Sequence, residues 1–131
     1  MIDCRRCGKH HRSITEVECA DRSMTEHQLQ SRVLYRAKKY GWKVAHAGRG
    51  IIEREDGTKT VTTPMSVGWP DLMCFKVGHN PPVVAMELKR EVGDLQPEQV
   101  DWLLLMNECG IPAILVRPSD LREGRVTAIL T

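Results

Sequence analysis

The chain has no long apolar run. Its longest uninterrupted apolar stretches, Trp102 to Met106 and Ala113 to Val116, are a few residues each, against the roughly 20 needed to cross a bilayer. A membrane-spanning helix is therefore not expected. Met1-Ile2-Asp3-Cys4 also lacks the basic and apolar segments of a secretory signal, so the expected location is intracellular. In that compartment five cysteines do not make a disulfide scaffold. No internal repeat and no low-complexity run interrupts the chain. What is present is 131 residues, 41% apolar and 27% charged, enough to bury a core within one compact domain.

The net charge of +2 conceals an asymmetry. Residues 1 to 60 carry 13 Lys and Arg against 8 Asp and Glu, a net of +5, and residues 61 to 131 carry 6 against 9, a net of −3. A basic half suits a polyanion such as nucleic acid, and an acidic patch suits divalent cations. A solvated surface with uneven charge has the same composition, so motifs have to decide.

Residues 1 to 23 are rich in Arg, Lys, Cys and His and poor in apolar residues. This segment cannot build a core alone, and we read it as a separate basic module ahead of a domain spanning 24 to 131. Thr25-Glu26-His27-Gln28 has the form of a capping box, and Leu29, Val33, Ala37 and Tyr40 follow it as one apolar stripe, with Gly41 as the stop. Trp42 to His46 is β-prone. The glycine-rich stretch from Ala47 to Gly68 reads as a hairpin or loop turning at Glu55-Asp56-Gly57-Thr58. Asp71 to Lys76 and Val83 to Lys89 read as antiparallel strands joined by Gly78 to Pro82. A helix is expected from Pro97 to Cys109, with Pro at its first turn and Gly110 after its end. Ile111 to Val116 reads as a buried strand, Ser119 to Gly124 as one helical turn and Val126 to Leu130 as a last strand. Cys74 and Cys109 are expected in the core, and His46 as a packed histidine, with a hydrogen bond to a phosphate as its alternative. The order argues an α/β fold, a mixed sheet flanked by helices.

The chemistry concentrates at the end of one strand. In Val84-Ala85-Met86-Glu87-Leu88-Lys89, the carboxylate and the ammonium are two residues apart and so share a sheet face, near the place where the partner strand begins with Asp71 after Gly68-Trp69-Pro70. Two carboxylates on neighbouring strands repel, and a hard cation such as Mg²⁺ between them, completed by phosphate oxygens, makes the arrangement favourable. That is a phosphodiesterase site in outline, with Lys89 orienting water or offsetting transition-state charge. A turn-capping Asp71 beside a solvated Glu87 and Lys89 pair is the plainer alternative.

The ordered set Glu26, Gly68-Trp69-Pro70-Asp71, Glu87-Leu88-Lys89, Gly93-Asp94-Leu95-Gln96-Pro97-Glu98-Gln99 and Trp102 resembles the PD-(D/E)xK nuclease superfamily, and within it the VRR-NUC family, over roughly residues 24 to 118. The resemblance implies a restriction-endonuclease-like core and a Mg²⁺- or Mn²⁺-dependent DNA endonuclease. It also implies that Asp71 and Glu87 are metal ligands, with the Leu88 backbone carbonyl as a further ligand, and that Lys89 is the catalytic lysine. Glu26 corresponds to the acidic residue of the first helix that supports the metal site, and Gln99 to a helix glutamine facing it. As alternatives, Glu26 is simply a good acid at a helix start, and Gln99 a surface residue ahead of a core-facing Val100. Trp102 stands where related nucleases commonly have Tyr and is assigned to packing. Short stand-alone members resemble phage enzymes that act as homodimers on branched DNA such as four-way junctions, in a phage or bacterial host cytoplasm. Arg32, Arg36, Lys38 and Lys39 on the first helix, and Arg49, Arg54 and Lys59 in the loop, are the expected phosphate contacts.

Cys4, Cys7, His10, His11 and Cys19 offer a Cys₃His set for structural zinc, with His10 preferred over His11 as the fourth ligand. A redox CxxC would need a thioredoxin-like βαβ context that is not evident, and a basic tail with incidental thiols is the remaining alternative. Two functional classes therefore stand at this point: a metal-dependent nuclease for junctions, flaps, ends or single strands, and a DNA-binding module on a nuclease fold without turnover.

Overall fold

The computed structural model describes residues 2–3, 10–11, 16–46, 50–53, 55–62 and 65–131, with side chains described for 17–46, 55–59 and 65–131. In chain order the elements are β1 (Ile2–Asp3), β2 (His10–His11), α1 (Glu16–Ser23), α2 (Glu26–Lys39), β3 (Lys43–His46), β4 (Gly50–Glu53), β5 (Lys59–Thr62), β6 (Leu72–Phe75), β7 (Val83–Leu88), α3 (Pro97–Glu108), β8 (Ala113–Val116), α4 (Pro118–Arg122) and α5 (Arg125–Leu130).

The main sheet has the order β3-β6-β7-β8, and β1 with β2 and β4 with β5 form two-stranded pairs. β6 runs antiparallel to both β3 and β7. The Ala85 N–H donates to the Pro112 carbonyl at 2.8 Å and the Lys89 N–H to the Val116 carbonyl at 3.0 Å. A constant offset of 27 residues in both bonds means that β8 is parallel to β7. The sheet is therefore mixed, and β7-α3-β8 is the connection that parallel neighbours require. The central strands read as nearly continuous apolar runs, Leu72-Met73-Cys74 and Val84-Ala85-Met86, because all six residues are buried.

The chain divides into two compact units, one of Met1–Tyr40, Leu88–Asp94 and Leu115–Thr131, the other of Gly41–Glu87 and Leu95–Ile114. The first holds α1, α2, α4 and α5. Thr25 caps α2: its hydroxyl accepts the Gln28 N–H at 3.1 Å while Gln28 Oε1 accepts the Thr25 N–H at 3.0 Å, so the predicted capping box forms. Leu29, Val33 and Ala37 are fully buried along one stripe of this helix, as their four-residue spacing dictates. Arg36 donates from Nη1 to the Leu121 carbonyl at 3.0 Å and to Thr127 Oγ1 at 3.4 Å, which ties α2 to α4 and α5. Arg122 Nε donates to the buried Asp21 at 3.0 Å, and α1 packs on α4. Helix α1 adds to the elements expected from the sequence.

The second unit holds the β4–β5 hairpin, in register from Gly50 opposite Thr62 to Glu53 opposite Lys59. Its turn is the Asp56-Gly57 one, where the Thr58 backbone N–H (2.9 Å) and hydroxyl (2.6 Å) both donate to Asp56 Oδ1. The core of this unit is Met73, Ala85, Leu103, Met106 and Ala113, with Trp69, Val83, Leu95, Trp102 and Ile111 packed against it.

Four local expectations need correction. Residues 126 to 130 lie in α5, not in a strand: Val126 and Leu130, four apart, are the buried pair, so helical periodicity outweighed β-branched content. Cys109 is exposed beyond the end of α3. His46 is exposed at the end of edge strand β3. Val100 is 37% exposed, because α3 turns Leu103 and Met106 toward the sheet instead. Among the described residues no helix is long and apolar enough to cross a membrane.

Candidate active site

The two carboxylates predicted to face each other are brought into line by strand register. Leu72 lies opposite Met86 and Met73 opposite Ala85. Continuing that antiparallel register by one residue places Asp71 opposite Glu87, and directly opposed residues of an antiparallel pair point to the same face with Cβ atoms about 5 Å apart. Asp71 is half-buried and Glu87 is 2% exposed.

Gln99, in the first turn of α3, is held by its own helix. Its Oε1 accepts the Gln96 N–H at 2.8 Å, and this fixes which end of the amide is which. The Nε2 end donates to Glu87 Oε1, also at 2.8 Å. Gln99 is thus hydrogen-bonded to the acid itself, where the resemblance had suggested a contact with Lys89 or the phosphate.

The loop that delivers Asp71 is locked against the same helix. Gly68 has φ +83°, and a Cβ built on it would lie 2.5 Å from the Glu98 carbonyl carbon, 2.6 Å from its oxygen and 2.8 Å from the Gln99 nitrogen. Only glycine permits this approach. Trp102 Nε1 donates to the Val67 carbonyl at 3.1 Å, and the Trp69 and Trp102 rings meet edge to face at 5.0 Å. Pro70 is buried. The first turns of α3 therefore contact Glu87 through Gln99 and the loop that leads into Asp71 through Gly68 and Trp102. The sequence marks Gly68-Trp69-Pro70 as a rigid lead-in to Asp71. It carries no signal that the place of the missing Cβ is filled by the backbone of residues 98 and 99.

The other predicted site residues fall as follows. Lys89 is half-buried, one residue beyond β7, with its N–H in the ladder to Val116. Leu88, whose carbonyl was a suggested ligand, is buried at the end of β7. Glu26 is exposed in the first turn of α2, in the unit that does not contain Asp71 and Glu87. Arg32, Lys38, Lys39 and Lys59 are exposed, whereas Arg36 is half-buried in the bonds described above. Arg49 and Arg54 lie outside the described residues. So do Cys4 and Cys7 and the side chains of His10 and His11, while Cys19 is buried on α1. Among the described residues no three or more His, Cys, Asp and Glu gather as a metal site. Two opposed carboxylates are nevertheless a fitting donor set for Mg²⁺, which keeps several waters and takes only one or two carboxylates when a phosphate supplies the rest. Opposed like charges destabilise a strand pair, and a cation between them reverses that sign.

No curated protein and no solved structure matches the chain. A family model does, that of the VRR-NUC domain, and it spans residues 23–120, from the start of α2 into α4. A match over most of the length that takes in the opposed acids and the helix clamping them settles the affiliation: the chain belongs to the VRR-NUC family of nucleases.

Proposed function

We propose that this nuclease is a Mg²⁺- or Mn²⁺-dependent DNA endonuclease with a PD-(D/E)xK core, acting as a homodimer on branched DNA, above all four-way junctions. The observation that carries the reading is the bond from Gln99 to Glu87 at 2.8 Å, beside a β6–β7 register that, continued by one residue past Leu72 opposite Met86, sets Asp71 across from Glu87. Asp71 and Glu87 supply the oxygens that hold the cation, which when bound polarises the scissile phosphate and acidifies a coordinated water. Gln99 keeps Glu87 oriented. Lys89 shares the face of Glu87 by strand alternation, and its ammonium offsets the charge that builds on the phosphate oxygens. The resemblance further assigns the backbone carbonyl of Leu88 and the carboxylate of Glu26 to the support of the cation. A two-fold junction needs two symmetric cuts, which a C₂ dimer supplies. Cys4, Cys7, His10 and Cys19 hold structural zinc in this reading, and exposed Arg32, Lys38, Lys39 and Lys59 contact phosphates.

The test is cleavage of labelled four-way junction, flap, duplex and single-stranded DNA with Mg²⁺, Mn²⁺ or EDTA, using Glu87→Gln as the control. Paired symmetric nicks in the junction, lost in EDTA and in the variant, are expected. Cleavage confined to flaps or ends would move the substrate, and no metal-dependent product on any DNA would leave a binding module. Zinc content unchanged by Cys7→Ser would remove the zinc site.

A further inference from the structure

A cavity of about 450 Å³ lies in the first unit, among α1, α2 and α4. That volume is within the roughly 300–1,000 Å³ typical of ligand sites. One wall is a stripe of donors. Gln28, Arg32 and Arg36 are four residues apart along α2, so they share one face with successive positions separated by about 6 Å. Part of the remaining lining is apolar, with Met24, Pro118 and Leu121.

The charges do not cancel. The lining holds three guanidinium groups, Arg32, Arg36 and Arg122, and one carboxylate, Asp21. That carboxylate is committed to Arg122 at 3.0 Å, and Arg122 reaches Glu123 as well at 3.4 Å. Two positive charges on α2 remain in excess within the lining. Arg36 is preorganised, because the Leu121 carbonyl and Thr127 hydroxyl fix its Nη1, so it loses little freedom when another of its N–H groups takes an acceptor. Arg32 is exposed at the mouth. Guanidinium forks in a partly apolar cavity match the oxygens of a phosphate.

We infer that this cavity is a phosphate-ester subsite, in which Arg32 and Arg36 hold the phosphate while Arg122, fixed by Asp21, forms the rim. The phosphate comes either from the backbone of DNA at a distance from the scissile bond or from a free phosphate or nucleotide. The DNA source rests on the nuclease reading above. Occupation by free phosphate does not.

The experiment is carried out in EDTA, so that cleavage plays no part. Inorganic phosphate is titrated into ¹⁵N-labelled protein, and binding of a short duplex is measured against salt for the parent, Arg32→Gln and Lys43→Gln, the last an equal charge loss on exposed β3. Saturable shifts at Met24, Arg32, Arg36 and Leu121 are expected, abolished in Arg32→Gln. Loss of one phosphate contact lowers the salt slope by about 0.9 and the affinity about eightfold at 0.1 M salt; Arg32→Gln should show both and Lys43→Gln neither. Phosphate shifts with unchanged DNA affinity would support the subsite and assign it to a free ligand. No saturable shift, with Arg32→Gln and Lys43→Gln alike in DNA binding, would overturn it. Since Arg32 is exposed, the variant is expected to fold, and its unfolding midpoint checks this.

Discussion

Replacing Gly68 by alanine puts one methyl group where the α3 backbone already is. Its Cβ would lie 2.5 Å from the Glu98 carbonyl carbon and 2.8 Å from the Gln99 nitrogen. Both obstacles are backbone, so no rotamer change relieves them. Ordinary contact begins near 3.4 Å, so loop and helix must separate by about 0.9 Å (3.4 − 2.5). Added along the bond from Gln99 to Glu87, a shift of that size takes 2.8 Å to about 3.7 Å, past hydrogen-bonding range. The left-handed φ of +83° costs an L-residue about 1–2 kcal/mol, and overpacking a further ~1–3 kcal/mol. The sum is about 2–5 kcal/mol, which for a chain of this length lowers the thermal midpoint by roughly 8–20 °C. Gly57→Ala is the matched comparison: it has the same φ of +83° with nothing within 4 Å, and so should lose only the conformational part. Thermal unfolding followed by circular dichroism, with Mn²⁺ affinity by calorimetry, reads both consequences. A Gly68→Ala protein that melts with the Gly57→Ala protein and binds Mn²⁺ like the parent would refute the clamp.

Gln99→Leu should leave the fold in place, cost about 1–3 kcal/mol for the lost donor to a buried carboxylate, and lower cleavage at least tenfold; parental turnover would remove Gln99 from the site. Lys89→Ala should abolish cleavage while DNA binding in EDTA stays within about twofold, and unchanged turnover would contradict the role given to the ammonium. The thiols should separate by environment: burial pushes Cys74 up to about 11, while Cys109 is exposed. A thiol reagent at pH 8 should therefore label Cys109 in the native protein and reach Cys74 only on unfolding. The folded state holds the Cys74 proton above its ordinary value of 9.0, up to about 11. That contribution to stability is complete below the lower of these values and declines as pH rises toward the upper one. A Cys74→Ala protein with the same alkaline loss of stability would show that the decline comes from other groups.

Local chemistry made much of the chain legible. The Thr25 capping box, Pro97 at a helix start, the Asp56-Gly57 turn and the paired apolar runs around Gly78 to Pro82 each act over a few residues, and each forms as the sequence predicts. Counting by two along each strand also gives the face on which an acid lies, and the β6–β7 register, continued by one residue past Leu72 opposite Met86, sets Asp71 across from Glu87. Tertiary packing decided what counting cannot. Val126 to Leu130 became a helix because Val126 and Leu130 are buried together, four residues apart. Cys109 and Val100 face solvent because α3 is apolar on most sides and the sheet takes only the face of Leu103 and Met106. The use of Gly68 depends on a helix that begins about 30 residues later, and the charge surplus around Arg32 and Arg36 depends on α1 and α4 converging on α2. These are contacts between segments distant in the chain, and no periodicity or turn signal within either segment encodes them.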